Sequence, residues 1–210
     1  MRTVKLFALL GIALFVAGCV LPVSLHPFYT DKVTLLDPKL VGAWVGKDGE
    51  ETLTFQFQKS SGRSYRLRVT EGKTTSKALE VHLFKLGKRL FLDTFPEAEE
   101  TAKSQPTLYD FHLIPAHNLW RIWIERDKVR LAMLDSDWLE KAIKQEVALK
   151  HEELDGWPVL TAGTADLQTF ITKHATDKEA FPHPLDLRRK KVDKRAWWGR
   201  PQRVAPTPNP

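Results

Sequence analysis

Between residues 40 and 134 apolar and polar side chains alternate with a period of two, and short polar segments break the alternation. In segment 51–57, Leu53, Phe55 and Phe57 share one face while Thr52, Thr54 and Gln56 share the other. Segment 64–70 sets Tyr65, Leu67 and Val69 against Arg66 and Arg68, and segment 77–86 sets Leu79, Val81 and Leu83 against Glu80 and His82. Segment 118–125 sets Trp120, Ile122 and Ile124 against Arg121, Trp123 and Glu125, and segment 128–134 turns Val129, Leu131 and Met133 inward. With segments 41–45, 88–95 and 110–114, the pattern predicts eight short strands. The connections Gly46-Lys47-Asp48-Gly49, Lys59-Ser60-Ser61-Gly62, Glu71-Gly72-Lys73 and Arg126-Asp127 are short and polar, which favours antiparallel pairing of consecutive strands. Eight strands in such a meander can close on themselves and remove their exposed edges. The long connection 96–109 carries Glu97, Glu99, Glu100 and Pro106, and reads either as a lid over a barrel mouth or as a solvated loop. Trp120 and Trp123 fall on opposite faces of one strand, so one belongs inside and the other beneath a helix or on the outside.

After residue 134 the period becomes helical. Asp135 or Ser136 caps a helix running to about Leu149, with Trp138, Leu139, Ala142, Ile143 and Val147 on one side. Gly156 and Pro158 mark a loop. Thr164 caps a second helix to about His174, with Leu167, Phe170 and Ile171 on its apolar face, Asp166 in its first turn and Lys173 and His174 in its last. The sheet is the only surface against which these helices can bury. The fold class is therefore mainly β with C-terminal α: an antiparallel eight-stranded meander barrel or half-barrel followed by two packed helices.

Charge divides the chain. The net charge of +6 is not general: residues 185–210 hold eight basic residues against Asp186 and Asp193, residues 1–18 add Arg2 and Lys5, and residues 19–184 come out at −2. The body is nearly neutral, so a nucleic-acid binder is not indicated. The basic residues Arg188, Arg189, Lys190, Lys191, Lys194 and Arg195, followed by Trp197 and Trp198, suit an anionic lipid or cell-wall surface, or else a disordered solubilising tail. The proline-rich end, 204–210, favours disorder in either case.

The N-terminus has Arg2 and Lys5, an apolar run over 6–16, and Val16-Ala17-Gly18 leading directly to Cys19, the sole cysteine. An apolar run of this length is too short to span a bilayer, which takes about 20 residues. A plain secretory signal and a buried helix are the alternatives. The segment resembles a bacterial lipoprotein signal peptide with its lipobox. That resemblance implies a diacylglyceryl group on the Cys19 thiol and cleavage just before it, which leaves roughly 190 residues, one domain's worth. Two or more acyl chains then hold the protein on a bilayer, at about 0.8 kcal/mol per buried methylene. Val20 in place of an aspartate implies, in a two-membrane bacterium, the outer membrane facing the periplasm. The domain reading is a signal peptide over 1–18, a tether over 19–39 with Pro22, Pro27 and Pro38, a single body over 40–184, and a basic disordered tail over 185–210.

Gly42-Ala43-Trp44 resembles the Gly-x-Trp motif that opens lipocalin-like barrels. The resemblance implies that Trp44 plugs a closed end, that an apolar pocket is available, and that an arginine near the last strand closes the barrel; Arg126 and Arg130 are both available for that role. The stretch His26-Pro27-Phe28-Tyr29 through Asp37-Pro38 to Gly42-Ala43-Trp44, together with Trp138, Leu160-Thr161-Ala162, Leu167-Gln168 and Phe170, is similar to a group of uncharacterised bacterial lipoproteins. No activity comes with that likeness.

Candidate chemistry is sparse. His112 and His117 flank Pro115 and can approach across a bend, but two surface histidines are the ordinary reading and no metal is expected. There is no Gly-x-Ser-x-Gly, no thiol left after lipidation and no phosphate loop. Asp93, Asp135 and Asp137 suggest a carboxylate cluster, yet Asp135 and Asp137 are explained by helix capping. No catalytic residue and no cofactor is expected. The expectation is a lipid-anchored envelope protein that binds an apolar ligand or a protein partner near the membrane. The alternatives are a structural or assembly lipoprotein gripping an anionic surface with its tail, and an envelope hydrolase.

Overall fold

The alternation resolves into strands whose limits differ from the predicted ones by a few residues. The computed structural model describes residues 21–97, 108, 112–145 and 149–190. After β1 (Val23–Ser24) come β2 (Gly42–Asp48), β3 (Glu51–Lys59), β4 (Tyr65–Glu71), β5 (Thr74–Thr75), β6 (Leu79–Leu86), β7 (Arg89–Pro96), β8 (Asn118–Ile124) and β9 (Lys128–Met133). Helix α1 (Ser136–Gln145), the strands β10 (His151–Leu154) and β11 (Trp157–Leu160), helix α2 (Thr164–His174) and β12 (Leu185–Arg189) follow. The main sheet runs β3-β2-β12-β9-β8-β7-β6-β4 with β5 added beside β4, and a β3–β4 ladder joins its ends. Each neighbour in the ring is the next long strand in sequence and every pairing is antiparallel. The result is a closed eight-stranded meander barrel.

The eighth strand is not where the alternation suggested. His112, Leu113 and Ile114 form no strand, and residues 110 and 111 lie outside the described residues, as does most of the expected lid, 98–107 and 109. The barrel is completed instead by β12, which falls in the stretch read as a basic tail. Leu187 points inward and is fully buried, while Asp186 and Arg188 face solvent. Both helices therefore lie within the last barrel connection, between β9 and β12, rather than after the barrel. The rest of the tail, with Lys191, Lys194, Arg195, Trp197 and Trp198, lies outside the described residues, as do residues 1–20 with Cys19.

Two cores share one wall. Inside the barrel, Trp44, Phe57, Tyr65, Leu67, Val81, Leu83, Leu92, Ile122, Val129 and Leu187 pack together. Outside it, Phe84, Phe91, Leu119 and Ala132 project from β6, β7, β8 and β9 and meet Trp138, Leu139, Ala142 and Ile143 of α1 and Leu167, Phe170 and Ile171 of α2. Strands apolar on both faces, such as Leu90-Phe91-Leu92, are what a wall buried on both sides needs. Trp120 faces the interior and Trp123 the outside, where it packs at the edge of the helix-covered core.

Caps fix the helices. Asp135 Oδ1 accepts the Trp138 N–H at 2.8 Å at the start of α1. The N-cap of helix α2 is Gly163, which has no side chain to cap with, rather than Thr164, whose hydroxyl instead donates to the Pro27 carbonyl at 2.8 Å. That bond belongs to a strap. Residues 21–39, expected as a tether, run down the outer wall. The Leu35 N–H donates to the Leu83 carbonyl, the Lys85 N–H to the Val33 carbonyl, and the Asp37 N–H to the Tyr65 hydroxyl. Phe28 is buried beneath the helices.

The seam between β2 and β12 is tight. A Cβ on Gly46 would stand 2.6 Å from the Asp186 carbonyl oxygen and 2.7 Å from a Leu187 methyl. Gly46→Ala is expected to lower stability by about 1–3 kcal/mol, the usual cost of overpacking, measured by urea unfolding with an unchanged m-value.

Candidate functional site: the barrel mouth

The two ends of the barrel differ. At the end where β2 begins, Trp44 is fully buried and its Nε1–H donates to the Leu40 carbonyl at 2.8 Å. The guanidinium carbon of Arg189, on β12, sits 4.2 Å from the centre of the Trp44 ring. Arg189 also donates to the backbone carbonyls of Val41, at 3.0 Å, and Lys39. Gly42 permits this passage, since its φ of +137° suits glycine and a Cβ there would lie 2.8 Å from Arg189 Nη1. The barrel-closing arginine is thus Arg189. Neither Arg126 nor Arg130 takes the role: Arg126 is exposed in the β8–β9 turn, and Arg130 lies over Trp123 on the outer wall. Arg189 is equally no part of a free anionic-surface tail, whereas Arg188 and Lys190 are exposed.

The opposite end is open. Here Leu53, Val69, Leu79, Trp120 and Leu185 are only partly buried and Met133 is 36 % exposed, whereas Trp44, Phe57 and Tyr65 are almost fully enclosed. A recess of about 670 Å3 enters between the β2–β3 turn and the segment leading into β12. Leu53, Phe55, Trp120, Leu131, Met133 and Leu185 form its apolar wall; Lys47, Asp48, Asp135 and Asp186 form a polar rim. The volume falls within the range of small-molecule pockets. Trp120 packs edge-on against Phe55, and its Nε1–H donates to the buried Thr94 hydroxyl at 3.3 Å, which leaves an apolar face to the recess. The Gly-x-Trp end is filled and the far half is not.

Leu21 and Pro22 also line this recess. The Pro22 carbonyl accepts a bond from the Asn118 amide at the head of β8, at 2.9 Å, and β1 pairs with β11. Chain position 19 is therefore within about 7 Å of contour from the mouth. Exposed apolar side chains lie in the connection at the same end: Leu108, Leu113 and Ile114 fall between β7, which ends there, and β8, which begins there. Because β11 runs parallel to β1, the β10–β11 turn with exposed Leu154 lies on the Leu21 side as well. Among the described residues no helix is long and apolar enough to cross a membrane.

A second cluster of chemistry lies on the outer wall, beneath the strap. Asp93 is fully buried; its Oδ1 is 2.7 Å from His117 Nδ1 and its Oδ2 accepts the Phe28 N–H at 2.8 Å. Burial pushes the Asp93 carboxyl above its ordinary range, opposed by the bond and charge of His117, by the Phe28 N–H and by His82. His117 stacks on Phe95, and Tyr29 stacks on His82 at 4.0 Å between centroids. The Tyr29 hydroxyl is pushed up to about 12, first by burial and then by Asp93, Glu80 and Asp31. Oδ2 ties the strap to the wall and Oδ1 holds His117, whose backbone pairs with Ser24 of the strap, so the cluster is a clasp. His112 is exposed and is not brought to His117. Asp93, Asp135 and Asp137 do not share a site: Asp135 caps α1, Asp137 lies in its first turn, and Asp93 is beneath the strap. Among the described residues no group of three or more His, Cys, Asp or Glu is placed to hold a metal.

Comparison with known proteins finds no matching family model, no matching curated protein and no matching solved structure. The roles of these residues rest on geometry alone. Arg189 was hidden because its neighbours are basic, and the signal that marks it is Leu185-x-Leu187 two residues upstream. The β10–β11 hairpin had a signal too: Asp155-Gly156, with φ of +52° and +82°, is the two-residue turn favoured between paired strands.

Proposed function

We infer that this chain is a lipid-anchored cell-envelope lipoprotein whose barrel binds an apolar chain, such as the acyl chain of a lipid, through a mouth turned toward the membrane. The role is binding rather than catalysis. The observation that carries this reading is the position of Leu21 and Pro22 on the lip of the recess at the open end of the barrel. Acyl chains on Cys19 would then insert beside that mouth. The strap is bonded to the barrel from Pro22 onward, so little slack separates anchor from body. Leu108, Leu113, Ile114 and Leu154 would meet the bilayer rather than water, which accounts for their exposure.

Two measurements test the reading. Cys19→Ser is expected to leave the chain unprocessed and to lose the acyl-dependent attachment to membranes; attachment and processing equal to the natural chain's would refute the anchor. For the pocket, the purified chain is titrated with cis-parinaric acid, read by its fluorescence and by energy transfer from Trp120. Saturable binding is expected, weakened about tenfold or more by Leu53→Trp, which fills the recess, with an unchanged unfolding midpoint. Equal binding by the variant, or none by the natural chain, removes the ligand role.

The second reading, a structural lipoprotein gripping an anionic surface, draws support from the exposed Arg188 and Lys190. Those residues lie at the Trp44 end of β12, opposite the Leu21 lip. In that reading the anionic surface is distinct from the bilayer that holds the anchor.

A further inference from the structure

Three arginines stand together on the outer wall near the closed end, one each from three consecutive strands: Arg89 of β7, Arg121 of β8 and Arg130 of β9. They line a recess of about 310 Å3 with Trp123 and Lys88. The recess lies beside the end of the β7–β8 ladder. The β7–β8 ladder ends at Leu90 opposite Ile122, although β7 begins at Arg89 and β8 continues to Ile124. Elsewhere in the ring the ladders between long strands β2–β3 and β6–β7 run to the turn. The guanidinium carbons of Arg121 and Arg130 lie 4.6 and 5.0 Å from the centre of the Trp123 ring, which holds both heads at the recess.

The donors there outnumber the acceptors. Among the described residues Arg121 makes one hydrogen bond, from Nη1 to the Ala175 carbonyl at 2.6 Å. Arg130 Nε is shielded from solvent and has no partner among the described residues. One carboxylate, that of the exposed Glu125, lines the recess. Lys128, the neighbouring cation on β9, is already paired with Asp186 at 3.0 Å. Burial and the charges of Arg89 and Arg130 hold the Arg121 guanidinium below its ordinary value, so the like charges of its two neighbours act against it. A buried donor without an acceptor and three converging like charges are unfavourable by themselves; an oxyanion relieves both. Guanidinium forks match the paired oxygens of phosphate.

We propose that Arg89, Arg121 and Arg130, where β7 and β8 part beside Trp123, form a binding site for a phosphate group. The recess has room for the phosphate and for the first atoms of whatever carries it, with the Trp123 ring as an apolar wall. It sits at the end of the barrel away from the Leu21 lip, so it serves a ligand other than the apolar chain and does not depend on the reading of the mouth.

The test uses the full chain purified from its membrane in a neutral detergent. Inorganic phosphate and glycerol phosphate are each titrated while the guanidinium Nε–H signals are followed by NMR, with chloride at matched ionic strength as the reference. Saturable shifts at Arg89, Arg121 and Arg130 with phosphate and not chloride are expected. Equal affinity for the two probes assigns free phosphate, and tighter binding of glycerol phosphate assigns a phosphate carried on a larger molecule. Arg89→Gln, and separately Arg89→Gln with Arg130→Gln, are expected to weaken binding about tenfold or more and to abolish the rise in melting temperature that phosphate gives the natural chain. Without ligand both variants are expected to melt no lower than the natural chain, since they remove repulsion. Shifts with phosphate no larger than with chloride, or equal binding by Arg89→Gln, would overturn the proposal.

Discussion

Trp44→Ala is expected to destabilise the barrel by about 3–5 kcal/mol, the usual cost of emptying a large aromatic site in a core. Small domains hold about 5–15 kcal/mol in total, so the variant is expected to be largely unfolded in mild urea. Three features place this residue at the upper end. Its ring is fully enclosed among Leu40, Phe57 and Tyr65. Its Nε1–H satisfies the Leu40 carbonyl where the strap turns into β2. Its face supports the Arg189 guanidinium, which in turn holds the Val41 and Lys39 carbonyls. Removing the ring opens a void and frees the arginine that seals the end. Trp44→Phe keeps most of the volume and loses the indole bond, so a smaller loss of about 1–2 kcal/mol is expected. Because Trp44 and Arg189 act as a unit, Trp44→Ala and Arg189→Ala should couple by at least about 0.5 kcal/mol in a double-mutant cycle. Additive losses in equilibrium unfolding would show that the two residues close the barrel independently.

Asp93→Ala is the second large effect, about 3 kcal/mol at neutral pH, because it strands the buried Phe28 N–H and the His117 ring nitrogen at once. Loosening of the strap should show as faster exchange of the Phe28 amide than of the barrel-interior amides. The pH dependence runs opposite to that of an ordinary surface carboxylate. Burial raises the folded-state value above the ordinary 3.8, so the folded protein holds this proton more tightly than the unfolded chain. The proton-linked part of the Asp93 contribution is therefore fully present below 3.8 and is lost as pH rises through the raised folded-state value, while its bonds to Phe28 and His117 remain. Asp93→Asn keeps an acceptor for Phe28 and cannot ionise. The natural chain should gain stability relative to Asp93→Asn on acidification through that window and lose it on the way back to neutrality. A stability difference independent of pH would mean that Asp93 does not titrate in the folded protein's accessible range.

The barrel was legible wherever one face of a strand is apolar over three or more alternate positions. Strands β3, β4, β6, β8 and β9 meet that condition, and their predicted apolar faces turn inward. Strand β12 does not: it offers only Leu185 and Leu187 inward, and its outward residues join a basic run that dominates any reading by composition. The physical cause is that a barrel strand needs an apolar inner face only. Its outer face, away from the helices, is free to carry charge. The strap was illegible for a related reason. Its backbone bonds go to barrel strands and helix side chains far along the chain, so it shows no period of its own, and the three prolines describe a tether as well as they describe a strap. Of the mouth, the inward residues Leu53, Phe55, Trp120 and Leu131 were legible as core. That the core stops short at this end depends on how the connections cross it, which alternation does not encode. The lateral row Arg89, Trp123 and Arg130 was likewise invisible, since it assembles across three strands.

Acyl chains at residue 19 and an apolar occupant in the barrel beside them are expected together. Native mass spectrometry of the chain extracted from its own membrane weighs both together. The predicted spectrum shows a chain beginning at Cys19, heavier than its sequence by its acyl groups, with a non-covalent apolar adduct that Leu53→Trp removes. A full-length chain of unmodified mass with no adduct would contradict it.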